Sequence, residues 1–159
     1  MNYEYVEGVI VQAKPDACSE IGIAIGLILT LDINGRLVIC IGCHDWTQEN
    51  ELKIKELPAL IGKKISCVFC VISQSSQAKI SETKAKSFIQ ESEYMAKVNG
   101  PLVDIVEMPT ELPGITSKHY LIDCGLPVYL EHSKDIEGVE LGEYLEDMGI
   151  LDIVTVKLW

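Results

Sequence analysis

Two thiol pairs stand out in the chain: Cys40-Ile-Gly-Cys43, followed at once by His44, and Cys67-Val-Phe-Cys70. As text, C-x-x-C-H is the attachment pattern of c-type haem, and two C-x-x-C units suggest a zinc site of four thiolates, or of three thiolates and one imidazole. Haem attachment requires export, and the segment Met1-Asn-Tyr-Glu-Tyr-Val-Glu-Gly8 has two acids and no positively charged lead, so it does not read as a secretory signal. Zinc requires each pair to converge at about 2.3 Å from one ion, usually out of a tight turn. Residues three apart on a strand point to opposite faces. Only a bend at Gly42 would bring Cys40 and Cys43 together, and nothing comparable lies between Cys67 and Cys70. The expectation is therefore buried thiols that pack as small hydrophobes, with no cofactor; zinc on Cys40, Cys43, Cys67 and Cys70 is the alternative.

His119 and His132 form a second candidate cation site. A tight turn at Gly125-Leu126 sets them directly opposite on a hairpin. Glu131 then points to the other face and Asp123 lies two residue pairs further along, so no carboxylate joins them and a surface histidine pair is expected. His44-Asp45-Trp46 is the one place where a histidine, a carboxylate and an aromatic cluster on a loop. A general base also needs a nucleophile and a positioned electrophile. The chain has no glycine-rich phosphate loop, no G-x-S-x-G and no H-E-x-x-H, so an enzyme is not expected.

Charged residues offer two binding surfaces. Lys63, Lys64, Lys79, Lys84 and Lys86, with Phe88 beyond, make a basic edge of the kind that holds single-stranded nucleic acid when aromatic platforms accompany it. Arg36 is the sole arginine and aromatics are 6%, so a lysine-protected edge strand is the simpler expectation. On the acidic side, a helix over 138–148 puts Glu140, Glu143 and Asp147 on one solvent face with Glu146 flanking. Leu141, Tyr144, Leu145 and Met148, at i, i+3, i+4 and i+7, then turn inward, and Gly149 terminates the helix. Such a row of carboxylates steers and holds a basic protein surface, the mode of acidic inhibitors, immunity-type proteins and nucleic-acid mimics.

The elements that must position these residues are mostly strands. From Ile21 to Ile33 every odd residue is large and apolar, which is period two. Gly22, Ala24 and Gly26 on the other face let the strand coil. Asn34-Gly35 supplies a type I′ turn, so residues 36–43 return with Leu31 opposite Val38, Leu29 opposite Cys40 and Gly26 opposite Cys43. Leu37, Ile39 and Ile41 on the far side require a second cover. A helix capped by Asp45 or Thr47 runs to Leu57, although Leu52 and Ile54 also fit a short strand, with Pro58 and Gly62 punctuating the end. Lys64 to Ile72 reads as a buried strand, residues 73–77 as a loop, and Lys79 to about Phe88 as an exposed strand. Strand over 94–107 is broken by Asn99-Gly100-Pro101, and Met108 to Ser117 is a loop. A hairpin of 119–123 and 128–132, the helix, and a closing strand over 150–158 complete the chain.

Each part thus runs strand, strand, strand, helix, strand, and the segments beginning at Asp32 and Asp123, like Gly62 and Gly149, align in that order. A sheet coiled by small residues, with a helix between its third and fourth strands, resembles the OB-fold barrel, and the resemblance is one of fold only. The expected fold class is β-rich α+β: two small OB-like halves, 1–90 and 91–159, related by duplication.

At 159 residues, 48% apolar and 23% charged, the chain is one ordinary domain or two very small ones, which excludes disorder and fibrous repeats. The net charge of −11 is unevenly spread along it: 9 basic and 10 acidic residues lie in the first 90, and 4 and 14 after them. That argues against nucleic acid as the main partner, strongly so for the later part. The apolar run Ile21 to Leu29 is far shorter than the roughly 20 residues a membrane span needs. Six cysteines without an export signal read as reduced thiols in a cytoplasm. The leading expectation is a cytoplasmic, non-enzymatic protein that binds a partner with a basic surface through Glu140, Glu143, Glu146 and Asp147. A single-strand nucleic-acid binder using the lysine edge and a thiolate metal protein are the alternatives.

Overall fold

The structure, a computed structural model, describes residues 3–18, 24–42, 54–73, 78–109, 112–131 and 136–158. The alternation over 21–33 delivers its strand: Leu27, Leu29, Leu31 and Ile33 are buried on one face of Ala24–Ile33. Asn34 and Gly35 have φ of 53° and 85°, and the return strand pairs in the expected register, Leu31 with Val38 and Leu29 with Cys40. The second cover is incomplete, since Leu37 is 63% exposed. His44-Asp45-Trp46, Cys43, His132, most of the helix expected up to Leu57 and residues 74–77 lie outside the described residues.

Among the described residues ten strands run in chain order: β1 (Val6–Cys18), β2 (Ala24–Ile33), β3 (Arg36–Gly42), β4 (Lys64–Ser73), β5 (Lys79–Ile80), β6 (Ser87–Ser92), β7 (Met95–Pro109), β8 (Thr116–Asp123), β9 (Pro127–Glu131) and β10 (Tyr144–Leu158). Between β3 and β4 stands a 3₁₀ helix, Ile54–Leu60, which contains Pro58 rather than ending before it. Among the described residues no helix is long and apolar enough to cross a membrane.

The chain folds into two compact units. The first comprises Met1–Phe69, Ser92–Tyr94 and Leu151–Trp159, and the second Cys70–Glu91 and Met95–Ile150. Neither matches the division at residue 90, because β4 and β10 each begin in one unit and finish in the other. Counted by unit, the basic and acidic residues are 7 and 11 in the first and 6 and 13 in the second. The acidity read along the chain is therefore shared between the units.

In the first unit β1 pairs antiparallel with β2 and, through Val6–Val9, with β4. The end of β10 pairs parallel with β3, Asp152 beside Ile41. In the second unit β7 pairs antiparallel with β8 and with the start of β10, and β8 with β9. Each unit has a backbone tie between a glycine turn and a long strand. Gly62 N–H donates to Ile10 O (2.7 Å) and Ile10 N–H to Lys63 O (3.0 Å); Gly142 N–H donates to Leu102 O (2.8 Å) and Leu102 N–H to Glu143 O (2.7 Å). The two glycines have φ of 90° and 91°, a left-handed backbone that side chains resist. Directly after these bonds β1 and β7 each bulge, between Ile10 and Gln12 and between Leu102 and Asp104.

Four local expectations change. The helix over 138–148 is absent: turns occupy 137–138 and 141–142, and β10 starts at Tyr144. Its i, i+3, i+4 pattern is outweighed by glycines at 138 and 142 in positive φ and by a partner strand that pairs Tyr144 with Pro101 through Ile150 with Met95. Leu141 and Met148, expected inside, are 66% and 41% exposed. Gly149 ends no helix but lies within β10, where a methyl would meet Ile72 O. Asn99-Gly100-Pro101 does not break β7: Gly100 lets the strand pass so close to Asp123 that a methyl would lie 2.1 Å from its carbonyl oxygen. Asn99 is buried and its amide donates to Thr83 O (2.8 Å) and Ala85 O (2.9 Å). Those bonds hold the irregular 81–86 stretch that divides the strand expected over 79–88 into β5 and β6.

Candidate functional site

The carboxylates expected on a helix face are dispersed by strand geometry. Glu140 is exposed in a turn, and its carbonyl accepts the Glu143 N–H (3.1 Å). Glu143 is half-buried. Glu146 is engaged by Lys79 (3.2 Å) and by the Ser81 hydroxyl, which donates at 3.0 Å. Asp147 is 3% exposed and takes the Met148 N–H on Oδ1 (2.8 Å). Alternation on β10 turns Glu146 and Asp147 to opposite faces, so the four acids form no common face.

The lysines divide as well. Lys63 and Lys64 are exposed in the first unit; Lys79, Lys84 and Lys86 belong to the second. Lys86 Nζ donates to Asp123 Oδ2 at 2.6 Å. That bond, with the N–H of Gly125, holds the Asp123 carboxyl below its usual range, while the same hydrogen bond to Asp123 raises the Lys86 ammonium. Lys64 helps to line an open groove of about 650 Å³ in the first unit with Gly8, Val9, Asn34, Gly35 and Ile65, but Glu7 and Asp32 line it too. Two carboxylates make it a poor seat for phosphate.

The cysteines take different places. Cys40 and Cys67 are wholly buried in the first unit. Burial above all, then the Cys67 thiol and Asp152, pushes Cys40 well up, and burial pushes Cys67 up to about 12. Both remain thiols at neutral pH, and the thiolate is the metal-binding form. Cys70, three residues beyond Cys67 on β4, faces the other way and belongs to the second unit. With Cys43 outside the described residues, the four-thiol arrangement is not assembled among those described.

Cys70 meets a different set. Asp123 pairs with Pro127, so the β8–β9 turn has three residues, Cys124-Gly125-Leu126, instead of two. Gly125 adopts φ 99°, its N–H donates to Asp123 Oδ1 (3.0 Å), and Cys124 N–H donates to Leu126 O (3.1 Å). One added turn residue shifts the register by one, which reverses the face of every residue on β9. His119 therefore pairs with Glu131, while His132, expected opposite it, lies outside the described residues. His119 Nε2 lies 3.9 Å from Glu131 Oε2, and one ligand atom each from Cys70, His119 and Glu131 lie within 4.8 Å of one another. Cys70 and His119 are buried, whereas the Glu131 side chain is 46% exposed. On the far side of the ring, Nδ1 sits 3.1 Å from Ser117 O and 3.4 Å from Ser117 Oγ. The sequence held every member of this group, but a two-residue turn separated the carboxylate from the imidazole.

A further surface was not legible in the chain. Past the bulge, β7 and β8 form an arm with Ile105 opposite Tyr120 and Glu107 opposite Lys118. Val103 and Ile105 on the arm are 51% and 39% exposed, and Leu112 and Ile115 in its connecting turn are 62% and 51% exposed. Asp104 and Glu107 are exposed on the same strand, and the Thr116 hydroxyl donates to Glu107 (3.1 Å). Compared with protein families, curated proteins and solved structures, the chain matches none.

Proposed function

We propose that this chain is a cytoplasmic, non-enzymatic binding protein, built from two OB-like units of duplicated origin, that docks a protein with a basic surface on the β7–β8 arm. The duplication rests on the matching ties at Ile10 and Leu102, the bulges after them, and the turn N–H groups that Asp32 and Asp123 each accept, from Gly35 (2.8 Å) and Gly125 (3.0 Å). The OB likeness rests on the first unit, where β1 lies between β2 and β4, a helix separates β3 from β4, and β3 runs parallel to its closing strand.

The observation that carries the functional reading is the set of exposed apolar side chains on the arm, Val103, Ile105, Leu112 and Ile115, interleaved with Asp104 and Glu107. Large apolar groups grouped on a surface mark interaction sites, and carboxylates beside them select a basic partner and speed its approach. The arm thus takes the role that the row Glu140, Glu143, Glu146 and Asp147 was expected to play. Immobilised full-length protein should retain a basic partner in a salt-sensitive manner. The double variants Asp104→Lys with Glu107→Lys, and Val103→Ser with Ile105→Ser, should each weaken retention at least about tenfold, a loss of about 1.4 kcal/mol, while Glu140→Lys should not. Capture of no basic partner, or equal capture by all variants, would overturn the proposal.

A further inference from the structure

We propose that Cys70, His119 and Glu131 form a cation site for a divalent transition-metal ion, zinc by first preference, with one coordination position open. The site lies within the second unit; His119 is on the β8 strand of the arm, opposite Val106, whereas Cys70 and Glu131 are on β4 and β9. Three strands, β4, β8 and β9, bring one sulfur, one nitrogen and one oxygen within 4.8 Å of one another. Their convergence is not a product of chain proximity, since Cys70 is far from the other two in sequence.

The second observation is the orientation of the ring. The Ser117 carbonyl, 3.1 Å from Nδ1, accepts only, so a neutral His119 that bonds it carries its proton on Nδ1 and keeps the Nε2 lone pair on the side of the Glu131 carboxylate. A backbone carbonyl on the far nitrogen is the outer contact that metal-ligating histidines ordinarily have, fixing tautomer and ring angle. The donor set narrows the ion. Thiolate and imidazole suit zinc and its neighbours, whereas calcium and magnesium take oxygen.

Charge balances too. The Cys70 thiol, now 3.9 Å from Val71 O, releases its proton to solvent as the sulfur–metal bond forms. One thiolate and one carboxylate then neutralise a divalent ion beside a neutral imidazole, so no net charge is buried. Entry is from the side of Glu131, whose side chain is 46% exposed. Three protein ligands leave a fourth position for water or an incoming ligand.

The test uses full-length protein stripped with a chelator, exchanged, and titrated with cobalt(II) alone and then with zinc(II). One equivalent of cobalt should give a thiolate-to-cobalt charge-transfer band and the visible intensity of a four-coordinate ion, both removed by zinc. The band should vanish in Cys70→Ser and persist in Cys40→Ser and Cys67→Ser. Glu131→Gln, at a half-exposed position that leaves the core intact, should keep the sulfur band but bind at least about tenfold more weakly, and zinc should raise the wild-type melting temperature more than that of this variant. If Cys70→Ser does not fold, Glu131→Gln and His119→Gln decide. Absence of saturable one-to-one binding, survival of the band in Cys70→Ser, or unchanged affinity in Glu131→Gln would overturn the proposal.

Discussion

Asp123 shows how a single side chain can serve both a turn and an ion pair. Its Oδ1 accepts the Gly125 N–H of the β8–β9 turn and its Oδ2 the Lys86 ammonium. Both bonds favour the charged carboxylate, so its native value lies below that of the unfolded chain. Their stabilisation is then complete above the ordinary carboxylate value, roughly pH 4, and fades as pH falls through the lower native value. The raised Lys86 value has the opposite sense, its contribution fading only as pH climbs past the ordinary lysine range. Because the two side chains are 48% and 43% exposed, solvent screens the pair and its contribution is small. Urea midpoints measured on either side of pH 4 should therefore fall more steeply with acid in the native protein than in Asp123→Asn. Parallel slopes would show that the pair contributes nothing.

Among the elements, the two glycine ties make the sharpest claim. Gly62 and Gly142 hold almost the same φ, and each donates its N–H to a residue within a long strand, Ile10 of β1 and Leu102 of β7. A methyl meets no atom within 4 Å at either position, so an alanine suffers from backbone conformation alone. Gly62→Ala and Gly142→Ala should each destabilise by about 1–2 kcal/mol in chemical denaturation, and by similar amounts. A large loss at one and none at the other would argue that the ties are unrelated. The ties also explain why the helix pattern over 138–148 misled: a residue near φ 90° at Gly142 ends any helix, and the tie instead aims β10 along β7.

For the whole molecule, the path of the chain through its units governs what can fold alone. The first unit takes Leu151–Trp159 as its last segment, pairing Asp152 with Ile41. A fragment of residues 1–90 lacks that strand, leaves the β3 edge open, and should show no cooperative thermal transition; a sharp transition matching that of the intact protein would refute the claim. The same path explains why charge counted along the chain suggested one near-neutral and one acidic half, whereas the units carry their excess acids more evenly.

Local signals alone determined much of the framework. Odd-position apolar residues up to Ile33, the Asn34-Gly35 turn and the apolar run from Lys64 specify β2, β3, their register and β4, because side-chain alternation and left-handed turn residues act within a few positions. Tertiary structure decided the rest. Whether the Gly125 turn has two residues or three is settled by pairing along all of β8 and β9, and that one residue brings Glu131 to His119. Leu141, Tyr144, Leu145 and Met148 fit a helix by period, but β7 offered Tyr144–Ile150 a full row of backbone partners, and a strand resulted. The candidate site depends on Cys70 reaching β8 and β9 across the sequence, and contacts of that range leave no periodic trace in the chain.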